Sequence, residues 1–143
     1  MPKIAFLMDP IETVSVKKDS TLAMIAAAQQ RGLEIFYLQQ DGLVLSAGVV
    51  TALTRSLRLR DDFCATLDPN TAGDDWYALG DEQAVALAEM DIVMMRKDPP
   101  FDMEYIYTTY LLERAETEGV MVVNRPSALR DCNEKLFATL FPQ

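Results

Sequence analysis

The chain has 143 residues, half of them hydrophobic, with 22 acidic and 13 basic side chains, a formal charge of −9 and no histidine. That length suits one domain with a real core, and ordinary Gly and Pro levels mark it as globular rather than disordered. So acidic a surface repels phosphate backbones and anionic membranes, and no Lys/Arg run supplies the basic patch that nucleic-acid binding would need.

The missing histidine removes Ser-His and Cys-His nucleophiles and argues against zinc, leaving acid–base chemistry to Asp, Glu, Lys, Tyr or Cys. No apolar run approaches the roughly 18 residues needed to cross a bilayer. Cys64 and Cys132 stand alone, so no disulfide framework is expected and a cytoplasmic location fits.

In chain order, Lys3–Met8 reads as a buried strand that runs into Asp9-Pro10 without a signal-peptide cleavage site. Asp19 or Ser20 can cap a helix over Thr21–Arg31, with Leu22, Ile25, Ala26 and Gln29 on one face and Gly32 at its end. Leu33–Leu38 is the second strand. Leu43–Ser46, a turn at Ala47-Gly48 and Val49–Leu59 predict a β-hairpin insertion. Residues 61–80 read as a loop, with Trp76 and Tyr77 starting a short returning strand. Asp91–Arg96 is a further strand, and Asp102 caps a helix to about Glu118 that Gly119 stops. Its expected buried stripe is Met103, Ile106, Tyr107, Tyr110 and Leu111. Val120–Val123 is a strand, and a last helical stretch covers Ser127–Leu140 with a break near Asp131.

Strands that are continuously apolar and alternate with helices predict an α/β domain, a mostly parallel sheet with helices on both faces. Ligands in such sheets bind beyond the carboxyl ends of strands, near a switch in strand order. Asp9-Pro10, Arg96–Asp102 and Asn124-Arg125-Pro126 should all meet that edge.

Arg96-Lys97-Asp98-Pro99-Pro100 is the most informative segment. Two cations at a strand end suit a carboxylate ligand, which Arg can hold bidentately, and the same residues also suit a charged loop stopped by prolines. Asp9 can orient a substrate amine or simply start a turn. Lys17-Lys18 precede a helix whose dipole disfavours cations, which points to a nearby anion or to a solvated loop. Asp131 and Lys135 are spaced for an i, i+4 pair on a surface helix. No Walker or dinucleotide glycine motif, and no tight cluster of Asp, Glu and Asn for a metal, is present.

At these segments the chain resembles the bacterial glutathione synthetase family of ATP-grasp ligases. The resemblance rests on Met8-Asp9-Pro10-Ile11, Lys17-Lys18-Asp19-Ser20, MRKDPPFD from Met95 to Asp102, YIYTTYLLERAE from Tyr105 to Glu116, and LRDCNEKLF from Leu129 to Phe137. It covers the family's front portion only and implies a preATP-grasp fold over residues 1–125, with residues 126–143 leading to an ATP-grasp domain. The implied reaction uses ATP and Mg²⁺ to convert the γ-glutamylcysteine carboxyl into an acyl phosphate that glycine attacks. It further implies that Arg96 contacts a substrate carboxylate, that Lys97, Asp9 and Ser20 line the same cleft, and that Lys135 contacts ATP phosphates. No catalytic or metal-binding residue is expected in this part, which alone should be inactive, and the full-length protein should be a homo-oligomer. The alternative is a stand-alone, non-catalytic small-ligand or protein-binding module of the same fold.

Overall fold

Strand β1, Lys3–Leu7, is apolar without interruption from Ile4 onward because both of its faces are covered. Ile4, Phe6 and Met8 enter one core with Leu22, Ile25 and Ala26 of helix α1 (Ser20–Gln30). Ala5 and Leu7 enter a second core with Leu112 and Ala115 of helix α4 (Met103–Thr117). Phe6 and Leu7 are fully buried, each worth roughly 1.5–3 kcal/mol of apolar transfer. The computed structural model describes residues 1–132 and 135–141.

The remaining strands are β2 (Glu34–Ser46), β3 (Val49–Leu59), β4 (Tyr77–Ala86), β5 (Ile92–Met95) and β6 (Met121–Val123). The sheet runs β4-β3-β2-β1-β5-β6. The β1–β2, β1–β5 and β5–β6 pairings are parallel, whereas β2–β3 and β3–β4 are antiparallel. The expected α/β fold, with a mostly parallel sheet covered on both faces and a hairpin, is therefore present. The hairpin is not a separate insertion, however. The predicted second strand and first hairpin arm are one long strand, β2, with a register irregularity between Leu38 and Leu43.

Local capping agrees with the sequence at both long helices. Asp19 Oδ1 accepts from Thr21 N at 2.7 Å, and Asp102 Oδ1 accepts from Tyr105 N at 2.9 Å. Gln29, predicted to share the buried face of α1, receives Leu59 N on Oε1 at 2.7 Å and donates from Nε2 to Leu59 O at 2.8 Å. That amide completes the ladder at the end of β3, where no strand could.

Two expectations fail here. Residues 61–80 hold two short helices, α2 (Asp61–Thr66) and α3 (Pro69–Ala72), and then the start of β4. Asp68 caps α3 through Asn70 N and Pro69 occupies its first turn, a helix-start signal hidden within a turn-like tripeptide. The stripe of α4 is also displaced: Met103, Tyr107 and Tyr110 are exposed, and Thr108, Thr109, Leu112 and Ala115 face inward. Trp76 is buried as expected, against Phe63 and Tyr77.

The last helical stretch breaks at Asp131 as expected, into α5 (Pro126–Asp131) and a 3-10 turn at Phe137–Leu140. Helix α5 ends at Asp131 and Lys135 stands in a separate turn, so the two do not share a helix face. Asn133 and Glu134 of the predicted helix, and Pro142 and Gln143, lie outside the described residues. Among the described residues no helix is long and apolar enough to cross a membrane.

Candidate functional site

From β1 the chain crosses through α1 to β2 on one side, and β5 flanks β1 on the other. The strand order therefore switches direction between β1 and β5, and the loops leaving their carboxyl ends diverge there. Two hollows of about 410 Å³ each open at this edge. The first lies between the β1 loop, the start of α1 and the end of β5, and includes Lys18, Asp19, Ser20, Thr21, Arg96 and Asp98. The second lies on the α4 side and includes Gln39, Gln40, Lys97, Glu104 and Tyr107. Met8 and Asp9 line both.

Four of the residues singled out from sequence are brought together here. Arg96 leaves the end of β5 and donates from Nε to Thr21 Oγ1 at 3.2 Å and from Nη2 to Ser20 Oγ at 3.0 Å. Ser20 thus supports the guanidinium with its hydroxyl. Lys97 turns the other way, and its Nζ meets Asp9 Oδ1 at 2.8 Å and Asp98 O at 2.8 Å. Asp9 Oδ2 accepts from Asp98 N at 3.1 Å. Both oxygens of Asp9 are therefore engaged by the β5–α4 loop. Tyr105 sits beneath this loop; burial pushes its phenol up, with the charge of Lys97 opposing.

The peptide bond Pro99–Pro100 is cis, as is Val123–Asn124. The segment Asn124-Arg125-Pro126 follows β6 at the same sheet edge, but it lines neither hollow. Lys135, in the turn before the terminal 3-10 segment, also lies outside both linings. Lys18 lines the first hollow, so the cation pair ahead of α1 does contribute there. Among the described residues no group of three or more His, Cys, Asp or Glu side chains is arranged to hold a metal ion.

Sequence reasoning missed Thr21, which is buried and takes the Nε–H of Arg96, and the amides of Gln39 and Gln40. A hydroxyl doublet opening a helix is an ordinary capping signal, and only the approach of β5 turns it into a seat for a cation. The chemistry available at the first hollow is binding: an oriented guanidinium for a carboxylate, with carboxylates beside it.

The family described as prokaryotic glutathione synthetase, N-terminal domain, matches residues 2–130. The chain is 53% identical over 141 residues to a glutathione synthetase of Pseudomonas putida, covering 99% of this chain and 41% of that protein. It is 51% identical over 143 residues to that of Vibrio cholerae and 46% identical over 141 residues to that of Salmonella typhi, covering 42% of each. The chain thus spans about two fifths of the length of these relatives.

Proposed function

Since the chain belongs to the prokaryotic glutathione synthetase family, as its N-terminal domain, we propose that it is the substrate-side portion of an ATP-dependent ligase joining γ-glutamylcysteine to glycine. Residues 1–125 form the preATP-grasp domain in this reading, and the segment from residue 126 leads to a C-terminal ATP-grasp domain. The full-length enzyme is a cytoplasmic homo-oligomer.

Arg96 carries the assignment. Its guanidinium is half-buried at the switch point and fixed by two hydroxyls, so it arrives pre-organised for a substrate carboxylate. Lys97 and Asp9 hold the β5–α4 loop that borders the cleft. ATP and Mg²⁺ are a different matter. The described residues offer no carboxylate trio for the metal, and Lys135 by itself is one ammonium outside the hollows. The described residues do not by themselves form a nucleotide site, so no chemical step through either group is assigned to them, and in this reading the chain alone does not ligate.

The test is steady-state kinetics on the full-length ligase. Arg96→Ala should raise the KM for γ-glutamylcysteine about ten- to a hundred-fold, the worth of a charged hydrogen-bond pair. A KM within twofold of the parent enzyme contradicts the assignment.

A further inference from the structure

Helix α5 is too short to hold itself together. Its six residues make less than two turns, and a helix of that length needs tertiary anchors to persist in water. The apolar anchorage is thin: Pro126 is buried and Leu129 packs half-buried against the α4-side core, while Asp131 and Cys132 are exposed.

The other anchor is Arg130, which reaches across to α4. It donates from Nη1 to Thr109 Oγ1 at 3.1 Å and from Nη2 to Glu113 Oε2 at 2.7 Å. Its guanidinium carbon lies over the Tyr110 ring, 4.3 Å from the centroid. The Thr109 hydroxyl donates its own proton to Ile106 O at 2.6 Å, so it meets Arg130 as an acceptor. Two bonds from one planar fork and an aromatic ring beneath it are demands that a guanidinium meets and an ammonium does not.

Helix α4 does not depend on this clamp, because Asp102 caps it and Thr108, Leu112 and Ala115 are buried. What the clamp fixes is α5. Nor is Arg130 open to a ligand, since its side chain is 16% exposed and its charge meets Glu113. Helix α4 also borders the cleft. It begins just after the loop that carries Arg96 and Lys97, and its Glu104 and Tyr107 line the second hollow.

Resting on the ligase reading above, in which the chain runs on from α5 into the C-terminal domain, we propose that Arg130 is a positioning residue for the ligation. It locks the exit of the substrate-side domain to the helix that borders the cleft, so the two domains keep one mutual orientation as the reaction proceeds. Reacting groups must meet within about 3–3.5 Å, and a misplacement of about 1 Å costs up to about a hundred-fold in rate. Arg130 acts through α5 and touches neither substrate.

Hydrogen exchange and kinetics on the full-length ligase test this together. Arg130→Ala should speed amide exchange at Leu129 and Cys132, whose N–H groups close α5, about tenfold or more, with β1 and β5 unchanged. Per mole of folded enzyme, kcat should fall about ten- to a hundred-fold while the KM for γ-glutamylcysteine stays within about twofold. Arg130→Lys keeps the charge opposite Glu113 but loses the fork, and should lie between the parent and the alanine variant in both readouts. Across these variants and Glu113→Gln, the loss of kcat should follow exchange at α5 rather than the unfolding midpoint, which a merely structural role would follow. The proposal is overturned if α5 exchanges at the parent rate in Arg130→Ala, or if kcat per folded enzyme stays within about twofold of the parent. It is also overturned if the KM for γ-glutamylcysteine rises by as much as kcat falls. A parent protein that does not join γ-glutamylcysteine to glycine removes the ligase reading and this role with it, a failure that shows before any substitution is made.

Discussion

Asp9 and Lys97 form the partition between the two hollows: Oδ1 of Asp9 meets Lys97 Nζ at 2.8 Å, and the two side chains are 30% and 18% exposed. The other carboxylate oxygen takes the N–H of the next residue, Asp98, at 3.1 Å. One side chain at the end of β1 thus fixes the loop after β5. Asp9→Ala strands a mostly buried ammonium and should cost about 1–3 kcal/mol. Urea unfolding of this domain measures it. Asp9→Asn keeps an acceptor for Asp98 N and should recover part of the loss; an alanine variant as stable as the parent would show the pair to be energetically idle.

The β2–β3 turn carries a residue poorly matched to its backbone. Ala47 has φ +50° and Gly48 φ +82°, and Ser46 pairs with Val49 across them. Two successive positive φ values in a two-residue loop mark a type I′ turn, which favours Asn-Gly. Ala47→Asn should raise stability by a few tenths to about 1 kcal/mol, seen as a higher denaturation midpoint with an unchanged slope. Gly48→Ala should lower it by about 1 kcal/mol.

The two thiols should separate cleanly in labelling. Cys64 is buried, its Sγ 3.7 Å from Ala26 O, and burial pushes the thiol up from its ordinary value. Cys132 is exposed. Iodoacetamide under native conditions should modify Cys132 alone within minutes, and both thiols in denaturant. Equal native rates would mean that the α1–α2 packing opens readily.

A modest pH dependence should come from the junction of β3 and α2. The Arg60 guanidinium, followed by the N–H of Phe63, holds the Asp62 carboxyl below the usual carboxylate range. A lowered folded value stabilises above the unfolded value of about 3.9 and loses that contribution as pH falls through the folded value. The stability gap between the parent and Asp62→Asn should therefore close on acidification from about pH 5 downward. The pair is solvent-exposed, so the gap should also narrow in 1 M salt. A gap that persists at pH 2 contradicts the pairing.

Much of the fold was legible because its signals are local. The apolar runs at 4–8, 92–95 and 120–123, the caps at Asp19 and Asp102, and the turn at Ala47-Gly48 each depend on a few adjacent residues. What was misread depended on distant partners or on how a polar group satisfies itself. Thr108 Oγ1 donates to Glu104 O at 2.9 Å and Thr109 Oγ1 to Ile106 O at 2.6 Å. With their hydroxyls returned to the helix, these threonines bury their methyl groups, and a stripe counted by hydrophobicity goes to the tyrosines instead. The site divides the same way. Arg96 and Lys97 were visible as cations ending a strand, but their opposite destinations are set by Ser20 and Thr21 on one side and Asp9 on the other.

The central position of β1 bears on the order of assembly. One edge of β1 pairs with β2, which follows after a single helix. Its other edge waits for β5, and the bond from Lys3 N to Asp91 Oδ2 spans 88 positions. As the chain leaves the ribosome, β1 to β4 can pair among themselves while the far side of β1 stays an open, apolar edge. That edge is a template for foreign strands until β5 emerges. The strand that covers this edge, residues 92–95, is the same one that delivers Arg96 and Lys97 to the cleft, so the sheet's closure and the site's completion are one event.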